Sequence, residues 1–161
     1  KYNVDFQPST KIAFPKKPRP ISEGWSYFIL THKATGKKTQ VSAGIKVKIS
    51  VFKNYTIAPD IVFSKVTKSV DPTEKDVELI MDAKFYSKGL DIDDVRKFVL
   101  FVREIGCNKA SRFEFDTISD LNFNCLLTNS DVYKNQDDYC TGGGIKQVGN
   151  FKPKAKRVVI P

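Results

Sequence analysis

Three side chains carry the reactive potential of this sequence: Asp60, Asp82 and Lys84. Asp60 stands in Pro59-Asp60-Ile61-Val62-Phe63. The other two stand in Val77-Glu78-Leu79-Ile80-Met81-Asp82-Ala83-Lys84-Phe85-Tyr86. Both segments are rich in Ile, Val, Leu and Phe and read as β-strands, and the polar interval 64–76, which holds Asp71-Pro72, reads as a long turn. The pair is therefore predicted to be a hairpin of strands 59–63 and 77–86. Side chains alternate along a strand, so Asp82 and Lys84 share a face. Asp60, near the start of the partner strand, reaches the same spot. Two carboxylates and an ammonium then converge at one end of an apolar sheet, where charges are costly unless paired or bound to a metal.

Pro59-Asp60 on one strand, Asp82-Ala83-Lys84 on the next and a helix after them resemble the PD-(D/E)xK nuclease superfamily. The similar region is 39–128, a little over half of the 161 residues, and Asp82-Ala83-Lys84 is the one D/E-x-K tripeptide in the chain. The resemblance implies an α/β fold, a restriction-endonuclease-like mixed β-sheet flanked by helices. It implies that Asp60, Asp82 and the carbonyl of Ala83 bind a divalent cation, Mg²⁺ or Mn²⁺, and that Lys84 is the catalytic lysine. The implied activity is endonucleolytic hydrolysis of phosphodiester bonds, in DNA ahead of RNA, of a restriction or defence type. Carboxylates suit a hard cation, which activates water and neutralises developing charge. A lysine beside two carboxylates keeps its proton, so its role is electrostatic. The Gln-x-x-x-Tyr motif of RecB-type exonucleases is absent from 91–106, which weighs against an exonuclease. The alternative is a non-catalytic module on the same fold that binds nucleic acid or a partner protein, with Asp82–Lys84 as a buried ion pair.

These residues need a frame. Residues 25–30 read as a strand. Residues 40–52 alternate, with Val41, Ala43, Ile45, Val47, Ile49 and Val51 on one face and Lys46, Lys48 and Ser50 on the other. After Lys84 the spacing of Ile92, Val95, Phe98, Val99, Val102 and Ile105 predicts a helix over 91–105, with Asp91 as N-cap, Asp94 completing an approximate capping box and Gly106 as the stop. Its polar face carries Arg96, Lys97 and Arg103. Residues 113–115 read as a short strand and 121–128 as a core strand. Residues 139–145, with Gly142-Gly143-Gly144, read as a mobile loop.

Further acids are weighed against the site. Glu23 is either an extra acid of the kind the resembled superfamily carries or a surface glutamate at a strand entry. Glu78 shares parity with Asp82 but lies about 13 Å along the strand, too far to share its cation, and reads as a strand-entry charge or a partner for a lysine.

Composition bounds the remainder. The length suits one domain, and 40% hydrophobic with 28% charged residues is ordinary for a globular chain. We divide it into a basic, proline-containing arm or linker, 1–20, expected to lack regular structure, and a nuclease-like domain, 21–161. A net charge of +9 favours a polyanionic partner, nucleic acid first. The basic runs are candidates for phosphate contact: Lys16, Lys17 and Arg19 in the arm, Lys46 and Lys48 on the alternating strand, and Lys154, Lys156 and Arg157 near the end. No apolar run is long enough to span a bilayer, and no signal peptide is visible. Cys107, Cys125 and Cys140 are odd in number and widely spaced, which argues against a disulfide framework or zinc site and fits a reducing cytoplasm. The single histidine, His32, reads as a surface residue. The chain opens on Lys1, as expected of part of a longer protein, so other domains or subunits, or a second copy, are expected partners.

Overall fold

In the computed structural model, residues 1–7, 13–86, 89–106 and 124–151 are described. The chain runs β1 (Tyr2–Gln7), a 3₁₀ turn (Ile21–Glu23), β2 (Tyr27–His32), β3 (Lys38–Ala43), β4 (Val47–Lys48), β5 (Thr56–Ile57), β6 (Ile61–Ser64), β7 (Val77–Lys84), α1 (Ile92–Ile105), β8 (Asn124–Thr128), α2 (Lys134–Gly142) and β9 (Ile145–Val148). Seven strands form one sheet in the order β1-β2-β3-β6-β7-β8-β9, while β4 and β5 make a separate ribbon. Pairing is antiparallel from β1 to β7 and parallel from β7 to β9. The architecture is thus mixed α/β, as expected, and the predicted hairpin lies at its centre as β6 and β7.

The strand period decides what each face buries. Val62 and Ile80 pack into the larger core with α1, which contributes Val95, Phe98, Val99, Val102 and Ile105. Phe63, Leu79, Met81 and Cys125 form the smaller core. Each fully buried α1 side chain contributes on the order of 2 kcal/mol by leaving water. Asp91 caps the helix, its carboxylate accepting the Asp93 N–H at 3.0 Å, and Gly106 ends it at φ 67°. The expected capping box does not form, because the Asp94 carboxylate accepts instead from the Tyr86 hydroxyl at 2.8 Å.

Several expectations are corrected. The strand 40–52 is broken at Gly44, whose φ of +63° turns the chain out of the main sheet into β4. A Cβ there would come within 3.0 Å of Pro15 Cγ, so the close approach also requires glycine. Ile45, Val47 and Ile49 remain buried, but Val51 is 78% exposed at the ribbon's tip. The expectation that 1–20 lacks regular structure fails at Tyr2–Gln7, which pairs with β2 along its whole length. Residues 13–20 are tied down through Arg19, which donates to Gly44 O (3.1 Å) and accepts from Lys46 N (3.0 Å). The loop expected at 139–145 is largely the last turn of α2, with Gln136 and Cys140 buried one turn apart. The predicted strand 113–115 lies outside the described residues, as does the start of 121–128, whose remainder is β8.

Candidate active site

Where β6 meets β7 the register pairs Val62 with Ile80 and Ile61 with Met81. One step further, Asp60 stands opposite Asp82. Cross-strand partners share a face, and like charges directly opposite repel. Both aspartates lie on the face of Val62 and Ile80, the α1 side, where the sheet ends. Backbone donors hold them in place. The Ala83 N–H donates to Asp60 Oδ2 at 2.7 Å and the Asp60 N–H to Asp82 Oδ1 at 3.3 Å, while Gly44 N–H fixes the Asp60 carbonyl at 2.9 Å. The Lys84 ammonium pairs with Asp82 Oδ2. Asp60, Asp82 and Lys84 are therefore brought together, and Ala83 joins them through its amide N–H.

The electrostatics follow from burial. Asp82 is only 5% exposed. Burial pushes its carboxyl up from 3.8 to about 6; Lys84 pulls it down, and the Asp60 charge pushes it up again. Burial draws Lys84 down, but its bond to Asp82 and the charges of Asp82, Asp60 and Asp94 outweigh that and hold it above the ordinary lysine value. Lys84 thus stays protonated. The upward shift of Asp82 comes first from burial; the Lys84 ammonium offsets it only in part, and the Asp60 carboxylate adds to it.

Carboxylates are the donors that a small hard cation takes. Among the described residues no group of three or more His, Cys, Asp or Glu could hold a metal. The described residues therefore offer no cage of three such side chains. Mg²⁺ needs only one or two carboxylates and fills its remaining positions with water and phosphate oxygens. Asp60, exposed, and Asp82, buried, are the two carboxylates at this end of the sheet that could hold such an ion.

The other predicted positions are spread. Glu78 lies at the far end of β7, paired with Lys37 at 2.9 Å and bonded by the Thr39 hydroxyl at 3.3 Å, the lysine partnership expected of it. Glu23 is exposed on the 3₁₀ turn and makes no hydrogen bond or ion pair with Asp60, Asp82 or Lys84. Arg19 and Lys46 are joined beside Gly44, hence near Asp60, and Lys16 and Lys17 are exposed on the same arm. Lys48 is drawn instead to Asp71 at 3.7 Å. Lys154, Lys156 and Arg157 lie outside the described residues. His32 is partly exposed at the end of β2; its Nδ1 accepts the Thr35 N–H at 3.2 Å and Tyr2 stacks edge-on against its ring. Cys125 and Cys140 are free and buried, and burial lifts both thiols to about 11, so neither is poised as a nucleophile.

Sequence reasoning missed the aromatic residues at this end of the sheet. Phe85 and Tyr86 directly follow Lys84, and the Tyr86 backbone is bonded on both sides by Asn129, at 3.0 Å each. The available signal was two consecutive aromatics just past a strand bearing charged residues. In comparison with known proteins, the chain matches no family model, no curated protein and no solved structure.

Proposed function

We propose that this protein is a metal-dependent phosphodiesterase acting on nucleic acid, an endonuclease with a restriction-endonuclease-like core and DNA ahead of RNA as its substrate. The observation that carries this reading is the facing of Asp60 and Asp82 across two central strands, with Lys84 on the same face. Two carboxylates held opposite one another by backbone N–H groups are a costly arrangement that a divalent cation relieves. Asp60 and Asp82 would hold Mg²⁺ or Mn²⁺, which supplies a water of lowered pKa and neutralises phosphate charge. Lys84, kept protonated, is placed to donate to a phosphate oxygen and to orient the attacking water. Arg19 and Lys46, whose backbones pair beside Gly44, bring two cationic residues to the chain next to Asp60, where a polyanion would lie. A plasmid and a labelled oligonucleotide incubated with Mg²⁺ test the reading directly. Wild type should cleave. Asp82→Ala should lose cleavage by on the order of 10³-fold or more while binding nucleic acid as well or better, because a negative charge facing phosphate is gone. An Asp82→Ala protein that still cleaves would end the proposal.

The Asp82–Lys84 ion pair favours one competing reading, a non-catalytic binding module in which the pair is structural. That reading predicts no cleavage by wild type in any divalent cation.

A further inference from the structure

The end of the sheet that carries Asp60 and Asp82 also carries exposed aromatic rings the core does not use. Phe85 is 47% exposed, Tyr86 42%, Tyr133 50% and Phe151 40%. Phe85 and Tyr86 follow Lys84 in the chain and lie within about 7 Å of it along the backbone. They straddle the strand end. Tyr86 reaches α1, its hydroxyl donating to Asp94 at 2.8 Å. Phe85 turns to Phe151, ring centroids 6.3 Å apart at 66°. Phe151 is set there by its N–H, which donates to Thr128 O at 2.9 Å, and Thr128 is the register partner of Lys84. Tyr133 rests on Gly89, where a Cβ would come within 2.7 Å of the tyrosine hydroxyl. The Phe151 N–H bond to Thr128 and the Asn129 bonds to the Tyr86 backbone, not burial, fix these rings at the end of β7.

Large aromatic faces left in water next to a phosphodiester site, in a chain of +9 net charge, suit one ligand chemistry. A nucleobase offers a flat π-face of any sequence, and base–aromatic stacking contributes about 1–3 kcal/mol per base. In a duplex those faces are already stacked on neighbouring bases. We infer that the site takes single-stranded nucleic acid, an unpaired base stacking on the Phe85–Phe151 pair while the strand's backbone runs on past the sheet end toward Asp60, Asp82 and Lys84. A strand crossing the end of β7 meets the acidic pair on the α1 side and Phe85 on the other.

This inference names the substrate class of the phosphodiesterase site and rests on that reading. Its test is run in chelator so that cleavage plays no part. The probes are a fluorescent single-stranded thymidine oligonucleotide of about a dozen nucleotides and a duplex of equal length. Wild type should bind the single strand more tightly than the duplex. Phe85→Ala should weaken single-strand binding roughly 5- to 100-fold with an unchanged salt slope, because no phosphate contact is lost, and should leave duplex binding alone. Phe85→Trp should restore or tighten it, which separates stacking from a folding defect. Equal affinity for both probes, or a Phe85→Ala protein that binds the single strand as wild type does, overturns the inference. Aromatic-dependent binding without cleavage in Mg²⁺ would leave this inference standing and remove the phosphodiesterase reading. Cleavage confined to duplex would do the reverse.

Discussion

Gln40 and Asp82 are two buried polar residues on the same face of the same sheet, and their surroundings are opposite in kind. Gln40 is fully buried with its amide bonds complete. Its Oε1 accepts from the Thr67 N–H (3.1 Å) and the Lys68 N–H (2.8 Å), and its Nε2 donates to Lys68 O (3.0 Å) and Ser42 Oγ (3.3 Å). It fastens the β6–β7 loop at Lys68, whose φ of 56° is uncommon for a residue with a side chain. Asp82 is almost as buried, yet it faces a second carboxylate, leans on one lysine, and has its proton affinity pushed up. A complete neutral network rigidifies a fold. A buried carboxylate short of positive charge is poised to take more. The difference separates a polar residue whose bonding is complete from one whose charge is only partly compensated, and under the proposed reading the second is the one that serves chemistry.

The largest effect expected at the acidic end is catalytic. Lys84→Ala should lower cleavage roughly 10²- to 10³-fold, as for loss of one oriented charge donor, while Mn²⁺ still binds, because lysine is no ligand. Calorimetric titration with Mn²⁺ beside single-turnover cleavage separates the two. If Lys84→Ala also abolishes metal binding, the site's geometry depends on the ion pair and the contrast with Gln40 collapses.

At the neutral end the expected effect is on folding alone. Gln40→Leu removes the acceptor for two backbone N–H groups and a donor to a carbonyl. It should cost about 3 kcal/mol, read as a lowered midpoint in urea with unchanged slope. Cleavage per folded molecule should stay at the wild-type level. A Gln40→Leu protein that is stable but inactive would place Gln40 with the chemistry.

The sequence made the acidic end more legible than the neutral one. Alternation on 59–63 and 77–86 put Asp60, Asp82 and Lys84 on one face because a strand period of two leaves little choice. The helix over 91–105 was equally plain from its apolar stripe and its Asp and Gly ends. Gln40 gave no signal, since its partners sit 27 and 28 residues away on a polar loop and only the folded chain brings them together. The break at Gly44 was hidden because Ile45, Val47 and Ile49 keep the same alternation after the turn. Helix α2 was hidden because only Gln136 and Cys140 on it are buried, so it carries no apolar stripe. The aromatics past Lys84 were read as a strand end, since exposure is not written in residue type.

The smallest expected effect is also the most direct measure of how Asp82 differs from Gln40. Burial and the Asp60 charge raise the Asp82 carboxyl from 3.8 to about 6 in the folded chain. At lower pH both folded and unfolded chains hold the proton and no penalty arises. Between the two values the unfolded chain releases the proton that the folded chain keeps, so stability falls as pH rises and the full penalty applies above the folded value. The shift, in which the pairing with Lys84 is already included, corresponds to on the order of 3 kcal/mol. Urea unfolding in chelator should show this loss between about pH 4 and pH 7, relative to Asp82→Asn, in which the titrating group is gone. Carboxylates remote from Asp82 cancel in the difference, which therefore reports Asp82 together with its neighbour Asp60. Mg²⁺ should recover stability at the upper end and not at the lower, because a proton and a cation compete for the same oxygens. A difference that stays flat across the window would mean that Lys84 fully satisfies Asp82. The acidic end would then be as complete as the Gln40 network.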